Sequence, residues 1–397
     1  MPMNKTNNAI RPRPMIELPV ISQSGAMQRL QAIPPRPDQP FVSGTLRTSV
    51  GMVPQVESGL TGRDRWGSVK ARWGVWRMNY KIDPGLYALG SPHESSEVLI
   101  SANYKLSFDA LRSALPGRNA WILVLDTRGI NVWCAAGKGT FGTEELIYRI
   151  QTSGIKEVAQ KGRLIVPQLG APGVSAHEVR KRTGFKVHYG PVRASDLPAY
   201  LDAGFKASPG MRKVAFGLKD RATLIPLELS IGLKPFVLIA LVFLTLATAA
   251  GYAAGDLSGV AGLAQSLRTE GLFAVAALGA AILAGAVLHP VLLPYLPARA
   301  FSLQGAMVGL VVAVALLYWR GGNLHAWPGL LEALAWLLII PSVAAYLAMN
   351  FTGSSTYTSL SGVKKEMRIA LPAEIAGVAA GGVLWMGSLI AAWRNWL

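Results

Sequence analysis

Near residues 233–254, 271–292, 301–319, 330–349 and 370–393 the sequence holds five apolar runs almost free of charged residues. Each is close to the roughly 20 residues an α-helix needs to cross the hydrocarbon core of a bilayer. In lipid every backbone amide must find its partner inside the protein, so separate runs of this length have one regular solution, a bundle of helices. Residues 226–397 are therefore expected to form an all-α transmembrane domain of five helices. A single soluble globule is excluded, and composition agrees: 51% of residues are hydrophobic and only 15% charged.

Charge sets the expected orientation. Arg299 precedes the third run, and Lys364, Lys365 and Arg368 precede the fifth. The positive-inside rule puts those loops, and the amino-terminal part with them, on the cytoplasmic side. The expected location is thus the inner (cytoplasmic) membrane, crossed five times, with the carboxyl terminus outside. The polar, hydroxyl-rich loop 350–363 then faces the amino-terminal part, as a docking surface or a solvated linker. Glu332 and Glu374 fall near span ends. A transporter with a cytoplasmic regulatory domain is the rival reading, but the spans show neither obvious repeats nor paired broken helices.

The formal net charge is +17, and from residue 233 on there are eight Lys/Arg against five Asp/Glu, so the first 232 residues carry +14. A basic domain of this kind suits an anionic membrane surface or an acidic protein partner. No nucleic-acid motif accompanies the charge, so no nucleic-acid partner is expected. Residues 1–60 begin with a proline-rich stretch that lacks the apolar core of a secretory signal, and they are expected to be a disordered tail. Between 62 and 82 basic residues alternate with aromatics. The spacing of Trp66, Trp73, Trp76 and Tyr80 suits one helical face, turned to a membrane interface or to the next domain.

Residues 61–225 alternate short apolar strands with amphipathic helices. Strands are expected at Val98–Ser101, Trp121–Leu125, Leu164–Val166 and Lys186–Tyr189. Helices are expected between them, which predicts a small Rossmann-like α/β domain with a doubly wound parallel sheet. The loops after its strands, 126–130, 168–173 and 190–194, belong at the carboxyl ends of the sheet, where such folds bind ligands.

One of these crossings holds the only cysteine of the chain, in Asn131-Val132-Trp133-Cys134-Ala135-Ala136-Gly137-Lys138. If 131–138 is a short helix, Asn131, Cys134, Ala135 and Lys138 share a face. That face offers one soft ligand, one amide and one cation among small side chains, and a large flat ligand can approach it. Cys134 has three readings: an inert thiol, a nucleophile, or a metal ligand. No histidine lies nearby in sequence to act as a base. The five histidines show no metal-ligand spacing, and a single cysteine excludes an internal disulfide or a cysteine-held cluster within this chain. Gly137-Lys138-Gly139-Thr140 is not a phosphate loop, because Gly139 stands where Ser or Thr should follow the lysine and Val132 where the first glycine belongs.

The 131–138 stretch resembles the cap-helix motif of the membrane corrinoid proteins of mercury methylation, the HgcA family. Ala102–Asp109 and Pro167–Gly173 resemble the same family. Gly190–Ala194 belongs to that set and is similar to the corrinoid iron–sulfur protein of the acetyl-CoA pathway. The resemblance implies a corrinoid (cobalamin-type, cobalt) bound with its own base detached, and Cys134 as lower axial ligand of the cobalt. It implies a corrinoid methyltransferase that passes a methyl group to Hg(II), giving methylmercury. The alternative is a membrane-anchored corrinoid methyl carrier of one-carbon metabolism. Return of the cobalt to its reactive state needs low-potential electrons, so a ferredoxin-like 4Fe-4S partner of the HgcB type is implied. A methyltetrahydrofolate-linked methyltransferase is implied as methyl donor. On the same ground Val132, Ala135, Ala136, Gly137 and Lys138 are expected against the corrin. Asn131 is expected to cap the helix and Trp133 to wedge it from the far side. Ser101, Ser107, Thr140 and Phe141 are expected to touch the corrin or its tail, with Gln168, Leu169, Gly170, Ala171, Val192, Arg193 and Ala194 lining the pocket.

Overall fold

The computed structural model describes residues 33–255, 258–322, 324–351 and 360–394. An α/β domain is followed by a helical region with five helices long and apolar enough to cross a membrane. The expected disorder of the first 32 residues, and most of the hydroxyl-rich loop 350–363, lie outside the described residues.

Seven strands form one sheet: β1 (Gly44–Thr48), β2 (Gly51–Val56), β3 (Gly85–Leu89), β4 (Glu97–Ala102), β5 (Ala120–Leu125), β6 (Arg163–Val166) and β7 (Lys186–Tyr189). Their order is β1-β2-β3-β5-β4-β6-β7. The four strands expected from sequence, β5-β4-β6-β7, are mutually parallel. The sheet as a whole is mixed, because β3 runs antiparallel to β5 and the β1–β2 hairpin extends that edge. The domain therefore begins well before residue 60, correcting that boundary. Gly51, at φ +105°, allows the tight hairpin turn.

Strand alternation sorts the core into two layers. Val98, Ile100, Leu123, Leu125 and Val166 face one side, against α4 (Thr143–Thr152) and α6 (Ala176–Thr183). Leu99, Ile122, Val124 and Ile165 face the other, against α2 (Lys105–Ser113) and α7 (Leu197–Asp202). Before them, α1 (Gly62–Arg72) opens with a capping box: Thr61 Oγ1 accepts from the Asp64 amide at 3.2 Å, and Asp64 Oδ2 accepts from the Thr61 amide at 3.0 Å. Two further helices lie between, the short α3 (Val132–Lys138) and α5 (Ile155–Val158).

The candidate spans are Leu218–Ala254, Gly259–Tyr295, Phe301–Arg320, Trp327–Phe351 and Gly362–Ala392. They contain four of the five apolar runs read from the sequence and all but the last residue of the fifth. Only 11% of the most apolar window of the first span is buried within the protein, so most of its apolar surface requires a non-aqueous neighbour. The third and fourth spans pack through small residues. A Cβ at Gly305 would lie 2.4 Å from the Ala348 Cβ, and one at Gly309 2.7 Å from the Pro341 Cα. Arg221, at the start of the first span, ties it to the second: its buried guanidinium donates to the carbonyls of Pro290 at 2.7 Å and Phe216 at 2.8 Å.

Candidate functional site

The site is built from the end of β4. Asn103 is buried there, and its Oδ1 accepts from the Thr127 amide (3.0 Å), the Thr127 hydroxyl (2.8 Å) and the Gly129 amide (2.9 Å). Its amide nitrogen donates to Asp126 Oδ1 at 3.0 Å. One side chain thus fixes the whole turn after β5, in which Arg128 and Gly129 both take positive φ. The turn delivers Asn131, whose Oδ1 caps α3 by accepting from the Cys134 amide at 2.9 Å. Gly139, left-handed at φ +79°, ends the helix after Lys138.

This seven-residue helix divides sharply between core and solvent. Ala135 and Ala136 are buried, whereas Cys134, Gly137 and Lys138 are exposed. A Cβ at Gly137 would meet nothing within 4 Å. The outward surface is therefore a free thiol, bare backbone and an ammonium group. The first turn of the helix also borders a largely apolar cavity of about 320 Å³ at the carboxyl ends of the parallel strands. Ser101 from β4 and Ser107 from α2 supply its hydroxyls.

The cavity brings together Asn131, Val132 and Trp133 with Ser101, Ser107, Leu169, Val192 and Ala194. Trp133 is a correction: it lines the cavity and is 39% exposed, rather than wedging the helix from behind. Phe141, Gly170, Ala135 and Ala136 are further corrections, because they face the protein interior. A Cβ at Gly170 would stand 2.4 Å from the Phe141 ring, so this glycine serves packing. Thr140 turns its hydroxyl to the Ala135 carbonyl at 3.5 Å. Gln168 accepts from Arg212. Arg193 pairs with Asp220 at 2.6 Å, at the start of the first span. Ala171 is half-buried beside these residues and does not line the cavity.

Two site residues escaped the sequence reading, Asn103 and Tyr104. Both lie inside the quoted Ala102–Asp109 motif, but their roles depend on β4 and β5 being neighbours. The Tyr104 hydroxyl is buried without a hydrogen-bond partner among the described residues. Burial pushes its phenol up, Arg77 and Arg72 oppose that, and the Cys134 thiol acts in the same sense as burial. The phenol thus sits in the electrostatic reach of the cap helix. Behind it, Lys105 and Arg112 on α2 hold Asp64 and Asp109 in a buried four-residue ion cluster with contacts of 2.6–2.8 Å.

Comparison with known proteins covers this part of the chain. Residues 76–201 match the family model described as CO dehydrogenase/acetyl-CoA synthase delta subunit. The acetyl-CoA decarbonylase/synthase complex subunit gamma of Methanothermobacter thermautotrophicus is 32% identical over 128 residues, 32% of this chain and 28% of that protein. The corrinoid/iron-sulfur protein large subunit of Moorella thermoacetica is 26% identical over 138 residues, 32% of this chain and 30% of that protein. The chain thus spans less than a third of the length of these relatives. The shared segment runs from the turn before β3 to α7 and includes the cap helix and its cavity, so the α/β domain is similar to a domain of corrinoid proteins of acetyl-CoA metabolism.

Proposed function

We propose that this chain is a membrane-anchored corrinoid protein that transfers a methyl group carried on cobalt to Hg(II). The observation that carries the reading is the exposed Cys134 thiol on a capped helix beside the cavity. Among the described residues no group of three or more His, Cys, Asp or Glu could hold a metal ion. A lone thiol gives a metal one soft ligand, so a metal bound there has to arrive with its other ligands in place. A corrin meets that requirement through its four ring nitrogens. Its ring is far larger than the cavity of about 320 Å³, so it would lie over the bare face at Gly137, and the cavity would be open to its tail. When bound, the corrinoid supplies a cobalt that carries and gives up the methyl group. Cys134 would hold the cobalt, and its thiolate would supply electron density to the metal. Lys138, one turn on, would meet a polar edge of the ring. Ser101 and Ser107 offer hydroxyls to the tail.

The choice of Hg(II) as acceptor rests on the resemblance of 131–138 to the mercury-methylation motif and on the five spans. A second reading, a corrinoid methyl carrier of one-carbon metabolism, is favoured by the names of the relatives that share residues 76–201. In either reading a ferredoxin-like 4Fe-4S protein supplies electrons and a methyltetrahydrofolate-linked methyltransferase supplies the methyl group. The test is methylmercury formation by cells making the full chain with its ferredoxin-like partner, compared with Cys134→Ala. Loss of a metal's own ligand is expected to lower the rate by about 100-fold or more, at or beyond the upper end of what losing a group hydrogen-bonded to a ligand costs. The visible spectrum of the purified variant should change with it. Methylation unaffected by the substitution rejects the reading. A corrinoid-loaded wild type that passes its methyl group elsewhere but not to Hg(II) selects the second.

A further inference from the structure

The helix α1 and the loop that follows it present an apolar surface that none of the described residues covers. Trp66, Val69 and Trp73 fall on one face of α1 or at its end, and are 62%, 42% and 42% exposed. Gly74, at φ +74°, turns the chain out of the helix, and beyond it Trp76 and Met78 are 81% and 66% exposed. Exposed cations accompany them at Arg63, Arg65 and Lys70. The one acid between residues 62 and 81 is Asp64, which is buried and committed to Lys105 and Arg112. Aromatics with cations and no free acid match a headgroup layer carrying negative charge.

Position singles out that partner. A Cβ at Gly74 would lie 3.2 Å from Leu227 and Ser230, on the first span's helix just before its apolar run at 233–254. Further along the same helix, exposed apolar side chains continue through Leu233, Val237 and Leu238. At 1.5 Å per residue, Leu233 lies about 5–9 Å beyond Ser230 and Leu227 along the helix axis. That distance is about the thickness of one interfacial layer. The loop is therefore held at headgroup depth by a contact with the span itself.

We propose that Trp66–Met78 is an interfacial anchor that seats the α/β domain on anionic lipid headgroups. Its consequence reaches the site. The Met78 carbonyl and the Lys81 side chain abut Gly129, each 3.3 Å from where a Cβ would stand, and Gly129 belongs to the turn that delivers the cap helix. The Arg77 guanidinium lies 5.7 Å from the Tyr104 ring centre. Seating the anchor thus holds the Cys134 edge of the sheet close to the membrane surface, and whatever reaches that edge approaches along the bilayer.

The lone cysteine makes the test direct. In a Cys134→Ala background, Val75→Cys is labelled with the fluorophore NBD in the full chain, reconstituted in phosphatidylcholine nanodiscs with and without phosphatidylglycerol. Lys161→Cys, in the loop before β6 at the opposite end of the sheet, is the control. The anchor predicts blue-shifted emission at 75 and quenching by headgroup-spin-labelled lipid, both stronger with phosphatidylglycerol and absent at 161. Quenching at 75 no greater than at 161 overturns the proposal and leaves the surface to a protein partner. Equal quenching with and without phosphatidylglycerol overturns the part played by charge.

Discussion

Asp64 joins local structure to the site. It caps α1, accepts from Lys105 and Arg112, and thereby fixes the helix that carries the aromatic surface. Burial pushes its carboxyl up, but the hydrogen bonds from Lys105, the Thr61 amide and Arg112 together hold it well below the usual range. A folded-state pKa below the unfolded value of about 3.9 means this stabilisation is complete at neutral pH and fades as pH falls below about 4. Asp64→Asn leaves two buried cations short of a partner, an expected cost of about 3–5 kcal/mol at pH 7. Thermal unfolding of variant and wild type should therefore differ widely at pH 7 and converge as pH falls below about 4. Cys134 stood out in the sequence as the only thiol, and the fold leaves it exposed. The direction of Trp133 was not, since a seven-residue helix has too few turns to mark its inner face and the neighbouring loops decide it.

The cap helix shows how far an element can be read locally. Its bounds follow from Asn131 as cap and Gly139 as stop, both recognisable in the sequence. Its seat does not. The loop Gln168–Gly173 packs on it so closely that a Cβ at Gly173 would lie 2.1 Å from the Phe141 carbonyl oxygen and 3.3 Å from the Ala136 Cα. Gly173→Ala must therefore shift backbone, at an expected cost of about 1–3 kcal/mol. A lowered melting temperature, with weaker corrinoid retention after gel filtration, would report the displaced helix. Residues spread evenly enough for one long helix misled the reading at α1. Gly74 ends it, so Trp76 falls in the loop and Tyr80 returns to pack on Gly67, where a Cβ would lie 2.6 Å from its hydroxyl. The β1–β2 hairpin was missed because its apolar content is low and it draws its place from the β3 edge.

Across the whole molecule, the α/β domain and the spans meet through a few polar ties. Arg193 of the α/β domain reaches Asp220 at the start of the first span, and Arg221 beside it reaches the last turns of the second. Arg221 serves three carbonyl oxygens from one rigid fork, those of Phe216, Pro290 and Val291. A lysine has the charge without the fork. Arg221→Ala should cost about 1.5–3 kcal/mol, and Arg221→Lys should recover only part of it. Limited proteolysis between residues 205 and 225 would register the loosened tie as faster cleavage.

The spans, the parallel strands and the cap helix were written in the chain itself, because each rests on short-range periodicity, on a cap, or on the absence of water in a bilayer. The partners of those elements were not. That Asn103 grips the turn before the cap helix, that Phe141 and Gly170 close the core rather than the cavity, and that Gly74 rests on the first span all depend on residues far apart in sequence. Such contacts are chosen when strands pair and faces compete for burial, and only the folded molecule settles that competition.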